Sequence, residues 1–567
     1  MASVRARVEA FLAENGLRMS PVQLYVAITR SEDSDEILAG GGLDGNVIKC
    51  VAVSEEARSE GLTNILISRL MSIAHEHGHD SVKVFTKPGN LKVFRSLGFD
   101  LLAQTEQAIL MESGWTGLSS YRKYLSSLRR EGRNGIIVMN ANPFTKGHRY
   151  LVEQAAAQVD NLYVIAVKED LSRFPYVERL AMIKAGCSDI PNVTVCEGSD
   201  YAISSATFPT YFLKKLDDAS DTQMSLDIDL FMRHIAPALG ASVRFAGSEP
   251  VDGLTRRYNE IMSGLLPTGG IDFVEIQRLE VDGMPLSASE LRKRLDEGQS
   301  ENAFVLAYPS SLPYLAADLA QRSLQRELDT TPKPGLVDRN NSGAHKDMDY
   351  GTMVKSILSL RPYFTRLAVE SVAGVDPVKV KEIGLEAEKA MLEATGGVNT
   401  HKGALFCIGL SVAVASRLAS MNGKVDEASF RELLSVTAQG IPSAKDTHGA
   451  EAIKTYGVSG ALDNARKAYP ELFEDWLPYY NSLSSDQYRD HKTLLKIMTT
   501  LEDTNILHRT GNTGLAQAKA DAAALLADFS VEGLVALDRK YTVSNISPGG
   551  SADMLSLTIF ISNLLTN

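Results

Sequence analysis

From residue 134 to about 312 this chain alternates short β-branched runs with helical stretches, and from about 313 onward the strand signals fade. The runs Ile136–Met139, Leu162–Val167, Val193–Cys196, Val243–Ala246 and Phe273–Ile276 are apolar and bounded by polar turns. That alternation predicts a parallel sheet covered by helices on both faces, with ligands at the carboxyl ends of its strands. Beyond it, Val378–Ala394, Ala404–Ser420, Phe430–Gln439 and Leu515–Ala527 carry apolar residues at helical spacing and predict an all-α domain. Before it, strands are expected at Val22–Thr29, Val47–Val53 and Val82–Thr86, a helix at Leu62–Ala74, and a basic helix at Tyr121–Arg133 leading into a linker. Three domains follow: an α+β domain over 1–130, an α/β domain over 131–315 and an all-α domain over 316–567. A length of 567 residues fits that number at roughly 100–200 residues per domain.

Composition removes several alternatives. A net charge of −12 disfavours a broad nucleic-acid surface, which needs excess Lys and Arg against phosphates. The four cysteines, Cys50, Cys187, Cys196 and Cys407, form neither a close-spaced metal pair nor a disulfide framework, so a reducing cytoplasm is expected. The charged stretch Met1–Glu14 does not read as a signal peptide. Ala552–Leu565 is apolar but shorter than the roughly 20 residues a membrane span requires, and is expected as a buried terminal helix with no membrane role. His75, His77 and His79 sit at i, i+2, i+4 spacing, which splits them across helix faces, and read as a solvated helix end.

The chemistry of the middle domain is concentrated at two places. The strand Gly135–Met139 runs into Asn140-Ala141-Asn142-Pro143-Phe144-Thr145-Lys146-Gly147-His148, and a helix follows. A strand–turn–helix of this kind aims backbone N–H groups at an anion, with Gly147 allowing close approach and His148 able to donate to a phosphoryl oxygen. Near the end of the domain, Pro285-Leu286-Ser287-Ala288-Ser289-Glu290-Leu291-Arg292 places two hydroxyls at a helix start and an arginine one turn in, which suits a triphosphate tail.

Together these motifs resemble the nucleotidyltransferase superfamily, with its Rossmann-like sheet, although Thr145 stands where that superfamily usually has the first of two histidines. With Phe245-Ala246-Gly247-Ser248-Glu249-Pro250, then Thr255, Tyr258 and Asn259, and with Arg173-Phe174-Pro175 and Arg179, residues 1 to about 315 resemble citrate lyase ligase. The resemblance implies that acetate and ATP form acetyl adenylate, and that the thiol of the citrate lyase acyl carrier protein then displaces AMP. It implies Thr145, Lys146 and His148 as catalytic, with Asn142, Gly147, Arg179, Ser287, Ser289 and Arg292 binding ATP. In the front domain, Arg58-Ser59-Glu60-Gly61-Leu62-Thr63 and Asn90–Phe99 resemble the N-acetyltransferase fold. That suggests a handle for the CoA-like arm of the carrier.

Four polar constellations mark the back domain: Glu327–Asp338 with Gly343–Asp349, Gly396–Gly403, Lys445–Ala452, and Glu502–Gly511. Their carboxylates suit hydrated Mg²⁺, and their lysines and glycine turns suit a polyphosphate. They resemble triphosphoribosyl-dephospho-CoA synthase over about 318–567. The resemblance implies that the ribose 2′-hydroxyl of 3′-dephospho-CoA attacks C1 of the ribose of ATP and adenine leaves. The residues it nominates are Asp338, Asp347, Asp349 and Glu451 as catalytic; Lys333, Gly396, Gly397, His401, Lys402 and Arg509 as binding; and Asp347, Glu502 and Asp503 toward metal. Ser547–Asp553 is a further turn that would close this site. The competing reading is a coenzyme-type adenylyltransferase fused to a synthase serving malonate decarboxylase.

Overall fold

The computed structural model describes residues 2–31, 36–58, 60–114, 116–168, 172–201, 219–249, 252–281, 284–297, 299–442 and 460–565. The expected motif at 445–452, with Glu451, lies outside them. Backbone contacts divide the chain into a front unit, Met1–Pro143 with Gly147–Leu286, and a helical unit, Phe144–Lys146 with Ser287–Asn567. The molecule is multidomain, with a helical C-terminal region; among the described residues the front unit holds two large sheets and a two-stranded hairpin, Glu280–Val281 with Met284–Pro285.

The first sheet contains β1 (Leu24–Thr29), β2 (Ile37–Asp44), β3 (Val47–Val53), β4 (Ser81–Thr86), β5 (Asp100–Gln104) and β6 (Ile109–Gly114), in the order β1-β2-β3-β4-β6-β5. Only β3 and β4 pair in parallel, through Val47 with Lys83 and Ile48 with Val84. The helix Leu62–Glu76 lays Leu66, Ile67 and Leu70 into a core shared with Val82, Val84, Phe94 and Met111. His75 and His77 are exposed at the end of that helix.

The second sheet is wholly parallel. Its strands are β7 (Asn134–Met139), β8 (Asn161–Ala166), β9 (Val193–Cys196), β10 (Ala241–Gly247) and β11 (Asp272–Ile276), in the order β11-β10-β7-β8-β9. Ile136 and Ile137 of β7 and every residue of β8 are buried, which is why these strands read as continuous apolar runs. The chain order reverses between β7 and β10. The turn leaving β7 therefore sits at the switch point of the sheet, where ligands of open α/β sheets bind.

In the helical unit, Leu312–Asp329, Lys402–Asn422 and Gly549–Leu564 pack against one another as the core. The apolar tail is thus a buried helix, as its composition suggested. Lys402–Asn422 has the length and hydropathy to cross a membrane, and most of it is buried within the fold. Around this core the surrounding helices begin with side-chain caps: Asp376, Asp426, Asp503 and Ser530 each accept a backbone N–H of the helix they precede.

Candidate active sites

At the end of β7 the turn is held by one arginine. Arg179, from the helix Tyr176–Cys187, is completely buried. Its Nη1 donates to the carbonyl of Asn140 at 2.8 Å, to Asn140 Oδ1 at 2.6 Å and to the carbonyl of Val167 at 2.8 Å, and its Nε to the carbonyl of Phe174 at 3.0 Å. One side chain thus ties the ends of β7 and β8 to the following loop. Asn142, also buried, accepts from the Phe174 N–H at 3.2 Å. Lys146, Gly147 and His148 open the helix Lys146–Ala156, with Lys146 exposed and the other two half-buried; Thr145 is completely buried.

Beyond β10, the described residues on either side are held as well. Asn259 donates to the carbonyl of Gly247 and to Glu275 Oε1, both at 3.0 Å, binding the ends of β10 and β11 together. Ser248 Oγ accepts from the Arg278 N–H at 3.1 Å, Glu249 pairs with Arg278, and Asp252 caps the helix Gly253–Leu265. In the helical unit, Ser287 caps Ala288–Asp296 by accepting the Glu290 N–H at 3.0 Å, and Arg292 Nη2 donates to Ser289 Oγ at 3.0 Å. A capped helix start with an arginine one turn in gathers positive charge in one place.

Elsewhere in the helical unit, three separate sequence motifs converge. His345 Nε2 lies 2.8 Å from Ser547 Oγ, and Arg509 Nη2 donates to His345 Nδ1 at 3.2 Å. Arg509 also donates to the Ala344 carbonyl and to Asn545 Oδ1. Burial, then the charge of Arg509, pushes the His345 pKa down to about 4, so the ring is neutral near pH 7. Asp347 Oδ1 is 3.9 Å from His345 Nδ1 and its carboxylate remains 62% exposed. Asp503 is buried and joins two helix starts: it accepts from the N–H groups of Asn505 and Ile506, and from the Ser551 N–H at 2.8 Å and hydroxyl at 2.9 Å. His345 carries the convergence, and its pairing with Ser547 across the chain had no sequence signal beyond the polarity of both loops.

Several nominated residues are engaged by the protein itself. Lys333 is buried and its Nζ donates to Glu327 Oε1 at 2.5 Å and to the Glu327 carbonyl at 2.9 Å. Asp338 accepts three backbone N–H groups, of Lys333, Asn340 and Asn341. Asp349 caps Tyr350–Glu370 through the Thr352 N–H and hydroxyl, which hold its pKa low. Gly396 and Gly397 have φ of 69° and 92° and end the helix Pro377–Thr395. Lys402 pairs with Glu388 and Glu502 with Lys519, each at 2.5 Å. His401 is buried with Nδ1 2.7 Å from Ser356 Oγ, and burial drives its pKa down to about 3. Asp347, Glu502 and Asp503 are not gathered as one ligand set: among the described residues no group of three His, Cys, Asp or Glu side chains is placed to hold a metal. Capping and ion pairing have claimed two of the three.

Fold and sites together define a two-part enzyme, an α/β part followed by a helical part. The family profile for the citrate lyase ligase C-terminal domain matches residues 134–315, and that for ATP:dephospho-CoA triphosphoribosyl transferase matches residues 313–567. A [Citrate [pro-3S]-lyase] ligase of Escherichia coli is 42% identical over 318 residues, covering 55% of this chain and 90% of the relative. The ligase of Klebsiella pneumoniae is 40% identical, with 55% and 92% covered. A Pseudomonas paraeruginosa protein named "Probable 2-(5''-triphosphoribosyl)-3'-dephosphocoenzyme-A synthase" is 38% identical over 264 residues, with 44% and 90% covered. A solved NadR protein in complex with NAD and AMP-PNP covers 60% of this chain and 96% of its own at 11% identity and a TM-score of 0.25, a likeness that carries no argument. By these identities and coverages the chain belongs to the citrate lyase ligase family over its front half and to the triphosphoribosyl-dephospho-CoA synthase family over its back half.

Proposed function

We infer that this chain is a bifunctional enzyme of citrate lyase maturation, an acid–thiol ligase in front and a prosthetic-group transferase behind. The observation that carries this is that two unrelated enzymes are each covered over nine-tenths of their length by separate halves of one chain, 90% in both cases. On this reading the domains run 1–130, N-acetyltransferase-like; 131–315, Rossmann-like nucleotidyltransferase; and 316–567, all-helical synthase.

In the ligase reaction a carboxylate oxygen of acetate attacks the α-phosphorus of ATP and pyrophosphate leaves. The carrier thiol, as thiolate, then attacks the acetyl carbonyl and expels AMP. His148 and Lys146 stabilise charge on the phosphoryl oxygens, with Thr145 and Asn142 shaping the turn and Gly147 admitting the phosphates; Ser287, Ser289 and Arg292 take the departing pyrophosphate. Arg179 positions the turn rather than touching nucleotide, a role its four bonds to protein oxygens support.

In the transferase reaction the 2′-hydroxyl of 3′-dephospho-CoA attacks C1 of the ATP ribose, its proton passes to a carboxylate, and adenine departs with the C1–N electron pair. Asp338 and Asp349 hold backbone N–H groups, which leaves Asp347, exposed beside His345, as the base among the described carboxylates. Lys402, once released from Glu388, and Arg509, beside His345, would take the polyphosphate. Mg²⁺ would arrive with the ATP phosphates and neutralise part of their charge.

Product analysis tests both halves. With ATP, Mg²⁺, acetate and hydroxylamine the protein yields acetyl hydroxamate; with ATP, Mg²⁺ and 3′-dephospho-CoA it releases adenine. His148→Ala lowers the first rate by about 100-fold or more and spares the second, and Asp347→Ala does the reverse. A wild-type protein that makes neither product, or a single variant that loses both, overturns the reading.

A further inference from the structure

A cavity of about 480 Å³ opens in the front unit where the start of β4, residues 197–201 after β9 and the helix Gly117–Leu128 meet, and none of the residues assigned to ATP lines it. Lys83 forms part of its wall. This lysine is only 5% exposed; its Nζ donates to the carbonyl of Asp200 at 3.0 Å and lies 3.9 Å from the centre of the Tyr201 ring. Among the described residues no carboxylate lies within ion-pair distance of it. Glu112, the buried acid nearby, is occupied by the Leu118 N–H at 3.0 Å and by the Tyr201 hydroxyl. Of the other carboxylates in the wall, Asp200 is held by Lys168 at 3.1 Å and Glu197 by Lys184 at 3.5 Å, while Asp80 is exposed.

A buried ammonium without a contacting carboxylate is costly: burial lowers the Lys83 pKa, and the charges of Glu112 and Asp200, neither carboxylate in contact with it, offset that only in part. Such a group in a cavity wall suits an anion supplied by a ligand. The rest of the lining narrows its chemistry. Tyr121 stacks with Tyr124 at 6.0 Å and with Tyr201 at 6.4 Å, giving the cavity an aromatic side, and Ser81, Ser120 and Ser199 add hydroxyls. The volume lies in the range of about 300–1,000 Å³ typical of small-molecule sites, far more than acetate fills. Because β3 and β4 are parallel, their first residues lie at the same end of the sheet. Asn46 and Ser81 at that end line the cavity, whereas the loop around Arg58 and Thr63 follows β3 at the opposite end.

The geometry points to a second ligand site in the ligase half, one that takes a phosphate-bearing nucleotide group, with phosphate against Lys83 and Lys168 and the base along Tyr121, Tyr124 and Tyr201. Resting on the proposed function, that group is the dephospho-CoA-like end of the carrier's prosthetic arm, held while its thiol meets acetyl adenylate.

The test uses the full chain and two variants. Lys83→Met removes the charge at nearly constant volume, and Ser120→Trp fills the cavity from an exposed rim position. Both raise the KM for the arm-bearing carrier by about tenfold or more while acetyl hydroxamate formation from ATP and acetate is unchanged, and Lys83→Arg restores the KM. An unchanged carrier KM in both folded variants overturns the proposal. Free 3′-dephospho-CoA that competes with the carrier in wild type but not in Lys83→Met assigns the site to the nucleotide itself; no competition, with the KM effect intact, assigns it to the carrier-borne arm. Should wild type form no acetyl hydroxamate, the ligase reading fails separately. Equilibrium dialysis of 3′-dephospho-CoA then decides the cavity: one bound equivalent lost in Lys83→Met sustains it, and none lost overturns it.

Discussion

Arg179 shows how a residue that looks like a ligand-binding cation can be committed to the backbone. Its guanidinium fork reaches three carbonyls and one amide oxygen, a geometry that a lysine's single ammonium cannot reproduce. Arg179→Met therefore leaves buried acceptors unpaired and costs about 3 kcal/mol or more of front-unit stability, and Arg179→Lys recovers little of it; urea midpoints check both. His345 makes a pH prediction. Its folded pKa of about 4 lies below the ordinary value of 6.5, so between those values the unfolded chain binds a proton that the folded ring refuses. Stability of the helical unit is then flat above about pH 6.5 and falls as pH drops toward 4, by up to about 3 kcal/mol from this group. Buried His401 adds to the loss in the same direction. Urea titrations followed by the fluorescence of buried Trp476 at pH 7.5 and pH 5 read the fall, and His345→Gln makes it shallower.

At the scale of elements, legibility followed burial symmetry. The central parallel strands β7 and β8 are buried nearly throughout because both faces are covered, the outer strands β9 and β11 less so, and each expected run overlaps an observed strand. β2 was not legible. Its stretch Ile37–Asp44 contains three successive glycines, a composition that argues against a strand, yet a side chain at Gly40 would strike the Tyr25 ring and one at Gly42 would strike Val22. Tight packing chose glycine where propensity would not. The sites divide in the same way. Turns at helix starts were legible as polar clusters, but the sequence does not say which of their side chains also hold backbone: Asp349 and Asp503 cap the helices they precede, and Asp338 holds three N–H groups of its own loop. The same logic yields a substitution with an unusual sign. Gly403 lies in the first turn of Lys402–Asn422, where alanine ordinarily stabilises a helix by about 1 kcal/mol. A Cβ there would come within 2.0 Å of Asp553 Oδ2 and 3.0 Å of its Cγ, so the carboxylate would have to move. Gly403→Ala therefore destabilises the helical unit, by about 1–3 kcal/mol, and lowers adenine release; a raised melting temperature would contradict the contact.

For the whole molecule, the boundary drawn by ancestry and the boundary drawn by contacts differ. The citrate lyase ligase profile runs to residue 315, yet residues from Ser287 onward make their contacts within the helical unit. Asp296 pairs with Arg322 at 2.8 Å, and Ser311, completely buried, donates its hydroxyl to the Phe144 carbonyl at 2.7 Å. A chain of this size with two units is expected to unfold in more than one step, so each substitution can be assigned to the transition it moves. In calorimetry, Arg179→Met marks the front transition and Gly403→Ala the helical one. Ser311→Ala strips a buried carbonyl of its hydroxyl donor and costs about 1–2 kcal/mol. If contacts define the folding units, it lowers the transition that Gly403→Ala lowers and leaves the other in place. A shift that instead tracks Arg179→Met would mean that the stretch from Ser287 to Ser311 folds with the ligase sheet, and that the family boundary is also the physical one.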